Sequence, residues 1–340
     1  MMRRFPLEGI IILYFLTYLP NIIVTKLVTS LPHAGLGRPL TGLETLPASL
    51  IFSTILTYLF IWGSRWYRDA NAVEIGGKSV PMPTRYTLLS GLGTALVLFT
   101  VPLSFTIPNV SIPFIQLLMR GDILVIAPLV DLIFGRRVHW WSWTALVMVL
   151  AAVTLTVGSR GGFNLPPIAI LTILLYTAGY FIRLLVMTKV SKSGDPASVR
   201  KYFVEEKVVA LPLSVAVLAL ISASGIGGQS SELSWGFVAV WSDPVIWPLL
   251  FIGLTLTIIS VFAIIILLDP RENAYCVPLE RAASLVAGIA ASLIMAAVWG
   301  LKSPSPAELT GALILIAAIV LLSLAPRLSR PVAMARAGTT

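Results

Sequence analysis

Long unbroken runs of apolar residues alternate with short polar segments along the whole chain. Runs long enough to span a bilayer fall at about 9–29, 43–63, 86–106, 110–134, 138–158, 166–187, 203–223, 244–268, 274–299 and 305–326. A spanning helix needs about 20 such residues and satisfies its own backbone hydrogen bonds. The runs do not alternate residue by residue, as spanning β-strands would. The pattern predicts an all-α integral membrane protein of ten transmembrane helices. The first run exceeds the 7–15 residues of a signal-peptide core and is interrupted by Lys26, so it reads as a span.

Composition agrees. Of 340 residues, 57% are hydrophobic and 11% charged, with mean hydropathy +0.92. Soluble domains carry about 25% charged residues. Ten spans place both termini on one side, taken as the cytoplasm. That side then holds sixteen Lys and Arg, whereas the outer segments hold only Arg38, Arg160 and Lys302. This positive-inside bias accounts for the net charge of +9 without nucleic acid as a partner. Most tryptophans lie near span ends, where an aromatic belt belongs. Segments 64–85 and 188–202 are the longest cytoplasmic loops, and the outer loop 224–243 has room for a short helix. With one cysteine, Cys276, and two histidines, His33 and His139, in different loops, neither a disulfide nor a metal site is expected, and no cofactor either.

Two short matches suggest an internal repeat. Ile23 to Ser30 resembles Val186 to Ser193 at an offset of 163, and Arg120 to Val125 resembles Arg281 to Val286 at an offset of 161. Each pairs a span with the one five later. Five spans per half force the halves into opposite orientations, the inverted-repeat plan of secondary transporters. The expected organisation is a first five-helix repeat over 9–158 and a second over 166–326. Residues 159–202 carry the start of the sixth helix and a cytoplasmic loop, and 327–340 form a cytoplasmic tail.

Lys26, Arg120, Asp122, Arg183, Glu280 and Arg281 fall inside predicted spans. Each would cost roughly 2.5–3.5 kcal/mol at a helix centre facing lipid. They must pair, reach an interface or face a wet cavity. Arg183, four residues from its span end, is expected to snorkel. At 100° per residue, Gln116, Arg120, Ala127 and Asp131 share one face of the fourth span, and Arg281, Ser284, Gly288 and Ser292 one face of the ninth. These stripes read either as small-residue packing seams or as two walls of one polar pathway. The expected substrate contacts are Lys26, Gln116, Arg120, Arg281 and Ser284. Asp122 and Glu280 are expected to pair charges or carry a coupling proton. Four cations against two anions favour an anionic or zwitterionic substrate.

The chain resembles the EamA-like permeases of the drug/metabolite transporter superfamily over about 9–326. The resemblance rests on the ten-span plan, on the hairpin from Leu124 to Trp143, and on its counterpart, Pro278 to Gly288 followed by Ser303 to Ile314. It implies a central cavity lined by the third, fourth, eighth and ninth helices with help from the first and sixth, and alternating access without ATP. The expected function is secondary-active transport of a small organic metabolite across the cell membrane, with a multi-pass protein and both termini cytoplasmic. The expected partners are that substrate and the lipid bilayer, with a homodimer left open. Two alternatives remain: a lipid-head-group flippase, and an intramembrane lipid-modifying enzyme, which would need a nucleophile–base set or metal ligands at span depth. On the transporter reading no catalysis is expected. Arg120→Gln and Arg281→Gln should each abolish flux in cells while membrane expression stays intact, measured by uptake and by blotting of membrane fractions.

Overall fold

A computed structural model describes residues 7–33, 35–75, 77–107, 110–119, 139–159, 165–190, 195–267 and 273–337. The fold is almost entirely helical. In chain order the helices are α1 (Leu7–Val28), α2 (Gly42–Gly63), α3 (Arg85–Thr106), α4 (helical over 112–119), α5 (Trp140–Ser159) and α6 (Pro167–Val190). They continue with α7 (Pro196–Ala223), α8 (Gly227–Phe237), α9 (Ile246–Leu267), α10 (Asn273–Trp299) and α11 (Pro306–Ala337). Among the described residues, eight helices are long and apolar enough to cross a membrane, and α11 carries a shorter apolar stretch, Pro306–Leu322. Most of the span predicted over 110–134 lies outside the described residues.

The distribution of side chains is inverted relative to a soluble protein. Leu174 is 62% exposed and Leu220 71%, whereas Glu206 and Arg281 are each 0% exposed. Apolar surface of that extent on long helices needs an apolar solvent. Trp62, Trp140, Trp241, Trp247 and Trp299 project at helix ends. The chain is therefore a multi-pass membrane-embedded helical protein.

Helix boundaries follow local chemistry. Thr41 caps α2 reciprocally with Glu44, and Thr84 caps α3 with Thr87. Asp195 caps α7, with Pro196 at the first helical position. This cap starts α7 seven residues before the predicted span, so its polar first turns are continuous with the apolar part. The loop over 224–243 contains α8. The loop between α2 and α3 holds a feature the hydropathy pattern missed. A 3-10 turn, Trp66–Asp69, leads into an antiparallel hairpin of β1 (Ala72–Ile75) and β2 (Lys78–Pro81), with Val73 opposite Val80 and Gly77 at φ 74°. Gly76-Gly77 between two short alternating runs is the turn signal for such a hairpin. The Arg200–Asp69 ion pair (2.5 Å) and the Asn71 amide, which donates to Glu205, fasten it to α7.

The packing interlocks. α9 lies against α1 and α2, and α3 lies against α6 and α7, while α5 pairs with α11 and α10 touches α1 and α11. Glycines set the closest crossings. A Cβ at Gly93 of α3 would lie 2.6 Å from the Gly179 carbonyl oxygen of α6, and one at Gly179 would lie 2.5 Å from the Gly93 oxygen. At Gly253 of α9 it would lie 2.6 Å from the Ser49 oxygen of α2. Small residues are what let membrane helices approach backbone to backbone. Hydroxyls reinforce the same pairs: Thr257 donates to the Ser53 carbonyl and Ser214 to that of Ala95. Gly93→Ala should therefore destabilise the protein by about 1–3 kcal/mol, because backbone must shift. Gly158→Ala, whose added methyl meets nothing within 4 Å, should be neutral, both read from thermal unfolding in detergent.

Candidate functional site

Four tyrosines, two on each of two helices, form the centre of the molecule. On α1, Tyr14 and Tyr18 lie one turn apart with ring centroids 5.3 Å from each other. On α6, Tyr176 and Tyr180 stack at 5.8 Å. The four line a cavity of about 80 Å³, together with Asn21, Thr94, Arg183, Lys207, Ser260 and Glu280. Thr94 is the tenth of 22 residues in α3 and Lys207 the twelfth of 28 in α7, so the cavity lies near mid-helix. Its walls come from α1, α9 and α10 on one side and from α3, α6 and α7 on the other.

Two buried ionic clusters border it. In the first, Arg281 of α10 reaches across to α6. Its Nη1 donates to the Tyr176 hydroxyl, and its Cζ sits 3.7 Å from the Tyr180 ring centroid, a cation–π contact. Its Nε lies 3.4 Å from Glu280 Oε2, while Tyr14 donates to Glu280 Oε1 at 2.5 Å. In the second, Arg183 of α6 meets Glu206 of α7 with two bonds, Nε–Oε1 at 2.8 Å and Nη2–Oε2 at 3.3 Å. Thr94, Ser90 and Tyr202 also donate to Glu206 Oε1, at 2.5, 3.2 and 3.3 Å. A fully buried carboxylate survives only when its oxygens are satisfied in this way.

A second cavity of about 700 Å³ lies at the helix ends on one face. Lys26 from the end of α1, Thr106 from the end of α3, Phe114 from α4, Ser159 from the end of α5, Ser292 from α10 and Lys302 before α11 contribute to its wall. One apolar cluster contains Tyr18, which lines the central cavity, and Ile112, which lines this vestibule, together with Ile22 and Phe105. Tyr18 meets Phe105 edge to face at 6.4 Å. That cluster borders both spaces.

The residues singled out from sequence go to different places. Glu280 and Arg281 meet at the central cluster. Lys26 is half-buried in the vestibule, where its Nζ donates to the Ile107 carbonyl at 3.4 Å. Gln116 is 1% exposed, and its carboxamide has no hydrogen-bond partner among the described residues. It packs on Gly288, where an added Cβ would fall 1.9 Å from Oε1. The Ser284 and Ser292 hydroxyls donate to carbonyls of their own helix, those of Arg281 and Gly288. The ninth-span stripe is thus a packing seam at Gly288 and a cavity wall at Ser292. Arg120 and Asp122 lie outside the described residues.

Arg183 does not snorkel. It is buried and paired with Glu206, because a counter-charge one helix away is nearer than the interface. The charge count also changes. Glu205, Glu206 and Lys207 of α7 lie inside the predicted seventh span, and Glu44, Asp131 and Glu308 inside the second, fourth and tenth, giving five cations and seven anions over the predicted spans rather than four and two, which removes the cationic surplus. Glu205 is committed to structure, accepting from the Asn71 amide and the Thr87 hydroxyl.

The tyrosines carried a readable signal. Leu13-Tyr14-x-x-x-Tyr18 recurs as Leu175-Tyr176-x-x-x-Tyr180, 162 residues later, and leads directly into the Thr-Lys match noted above.

No family model and no curated protein matches the sequence. A solved crystal structure of a protein superposes with a TM-score of 0.54 at 15% identity, covering 92% of this chain and 97% of its own. The two chains share a fold over nearly their whole length.

Removing one partner of the second cluster should leave a buried charge. Glu206→Gln should cost about 3–5 kcal/mol, while the double change Arg183→Met with Glu206→Leu recovers most of it. Thermal unfolding of the purified variants measures both.

Proposed function

We infer that this protein is a secondary-active transporter that carries a small organic metabolite through the membrane by alternating access. The observation that carries the reading is a cavity near mid-helix between two interlocked helix groups, where Arg183, Lys207 and Glu280 stand among tyrosines and apolar side chains, together with a much larger vestibule at the helix ends. Ionisable groups at that depth are costly unless they serve a solvated route.

The interlock supports an inverted repeat of five helices per half. α9 contacts α1 and α2 as α3 contacts α6 and α7. Gly253 and Gly91, 162 residues apart, each sit against a neighbouring backbone, Ser49 on α2 and Glu206 on α7. Thr257 bonds Ser53 across α9 and α2, and Ser214 bonds Ala95 across α7 and α3. These pairs keep the same spacing as Tyr14 with Tyr176 and Tyr18 with Tyr180. On this reading α4 completes ten spanning helices with α11, and 9–158 and 166–326 are the two halves. Both termini face the cytoplasm of a cell membrane, and the vestibule opens outward. Membership of the drug/metabolite transporter superfamily, with EamA-like permeases as the nearest pattern, fits this plan. The groups bordering the two cavities hold and move a ligand without making or breaking bonds, with Glu280 in the central cavity and Lys26 in the vestibule as charged contacts and Arg281, buried behind the lining, positioning Glu280.

Reconstitution tests the reading. Purified protein in liposomes should give saturable exchange of a soluble metabolite, found first by thermal-shift screening, with no ATP, and Arg281→Gln should abolish it. Scrambling of a labelled lipid in place of solute exchange would instead assign a flippase.

A further inference from the structure

Lys207 differs from every other charged group around the central cavity. It is 2% exposed, and it lines the cavity from α7. Arg183 is paired with Glu206, and Arg281 with Glu280. Glu205 is taken by the Asn71 amide and Thr87. The Lys207 ammonium has no hydrogen bond or ion pair among the described residues. Its one recorded close contact is the Phe203 ring, 5.8 Å away. The two ion pairs cancel, and the remaining buried carboxylate, Glu205, lies outside the cavity lining, so Lys207 is the cation at the lining that has no ion pair among the described residues. An isolated buried ammonium is among the most expensive groups a protein can hold, and three N–H donors facing an enclosed space call for an acceptor within it.

The cavity says which acceptor. At about 80 Å³ it takes a group of a few heavy atoms. The α1 and α9 wall contributes the Asn21 carboxamide and the Ser260 hydroxyl among apolar side chains such as Leu256 and Ile259. Their donors are already taken: Asn21 Nδ2 donates to Thr255 Oγ1 at 2.8 Å and to the Ile252 carbonyl at 3.3 Å, and Ser260 donates to the Thr257 carbonyl. One acceptor carboxylate, Glu280, also borders the space, but its oxygens are engaged by Tyr14 and Arg281. With those donors taken, the Lys207 ammonium is the cation left to meet a ligand, and one cation in a space of this size matches a single small monoanion.

We propose that Lys207 anchors the carboxylate of the transported molecule, making the central cavity a monocarboxylate subsite between the two helix groups. The proposal rests on the transporter reading for its biology, but its chemistry is a binding claim. The ammonium is then the contact that charges the empty chamber and is neutralised when a carboxylate enters. Removing the charge therefore acts oppositely on the empty and the loaded protein. Lys207→Met removes an uncompensated buried ion from the empty chamber, and at the same time removes the anchor.

Thermal unfolding of the full-length protein in detergent, in chloride-free buffer, tests this. Three probes are titrated: acetate, its uncharged isostere acetamide, and chloride. Acetate should raise Tm saturably and acetamide should not. Lys207→Met and Lys207→Gln should weaken the half-saturating acetate concentration about tenfold or more, with the ligand-free Tm unchanged or higher. Lys207→Arg, which keeps the charge, should retain part of the response, and Lys201→Gln on the exposed first turns of α7 should retain all of it. Equal stabilisation by acetate and acetamide, a response to chloride alone, or an acetate response untouched by Lys207→Gln would each overturn the proposal. So would an unfolded Lys207→Met protein alongside a Lys207→Gln protein that folds and still binds. Carboxylate binding that depends on Lys207 in a protein giving no flux in liposomes would uphold the subsite and overturn the transporter reading.

Discussion

A charge that water cannot reach must find its counter-charge inside the protein, and here that need organises the whole helix bundle. Arg281 and Arg183 sit on α10 and α6, and their carboxylates and aromatic partners come from α1, α6, α7 and α10. No two-helix unit contains a complete cluster with all its partners. The clusters therefore specify which helices stand side by side, something that apolar contact alone does weakly, since lipid is as apolar as leucine. Buried ion pairs contribute little net stability, but breaking one is costly. Their value here is in fixing a single arrangement of helices around a chamber that stays polar.

The interior and the exterior of the bundle divide the labour accordingly. Large apolar side chains such as Leu174, Leu220, Trp62 and Trp247 cover the outside, and hydroxyls stand among the buried leucines and isoleucines at the contacts between helices. Most of those hydroxyls donate to a carbonyl three or four residues earlier, as Thr25, Ser49 and Thr100 do. They cover their own donors without needing a second helix, so they cost nothing when two helices close on each other. Among those that bond across, Ser53 with Thr257 and Thr255 with the Asn21 carboxamide mark the α2–α9 and α1–α9 contacts, and Thr94 and Ser90 tie α3 to Glu206 of α7.

Much of this was legible in the sequence, and the reasons differ by feature. Nine of the ten apolar runs coincide with described helices to within a few residues, because span length is set by bilayer thickness; the exceptions are α7, which Asp195 starts early, and α11, which runs on through the expected tail to Ala337. Arg281 and Glu280 were found because charge inside an apolar run is expensive. Glu206 and Lys207 were overlooked for the opposite reason: they sit close to the polar beginning of α7, where charge looks ordinary. Arg183 looked like an interfacial residue for the same reason, and only the position of α7 shows its partner. The tyrosines were invisible to a search for charge, although their repeated spacing was present in the chain. Gln116 was chosen as a polar wall, and the structure shows it pressed against Gly288, a contact that no spacing rule on one helix could reveal. The β1–β2 hairpin escaped because a four-residue strand carries almost no hydropathy signal.

The crossing of α3 and α6 at Gly93 and Gly179 has a mechanical consequence. With each α-carbon seated on the other's carbonyl oxygen, neither helix can slide past or roll over its neighbour without a collision between main chains. The pair is therefore locked in register and travels as one lever arm. Any rearrangement that connects the chamber first to one side of the bilayer and then to the other has to be absorbed elsewhere, at the sparser junctions of α1 with α3 and α2 with α7.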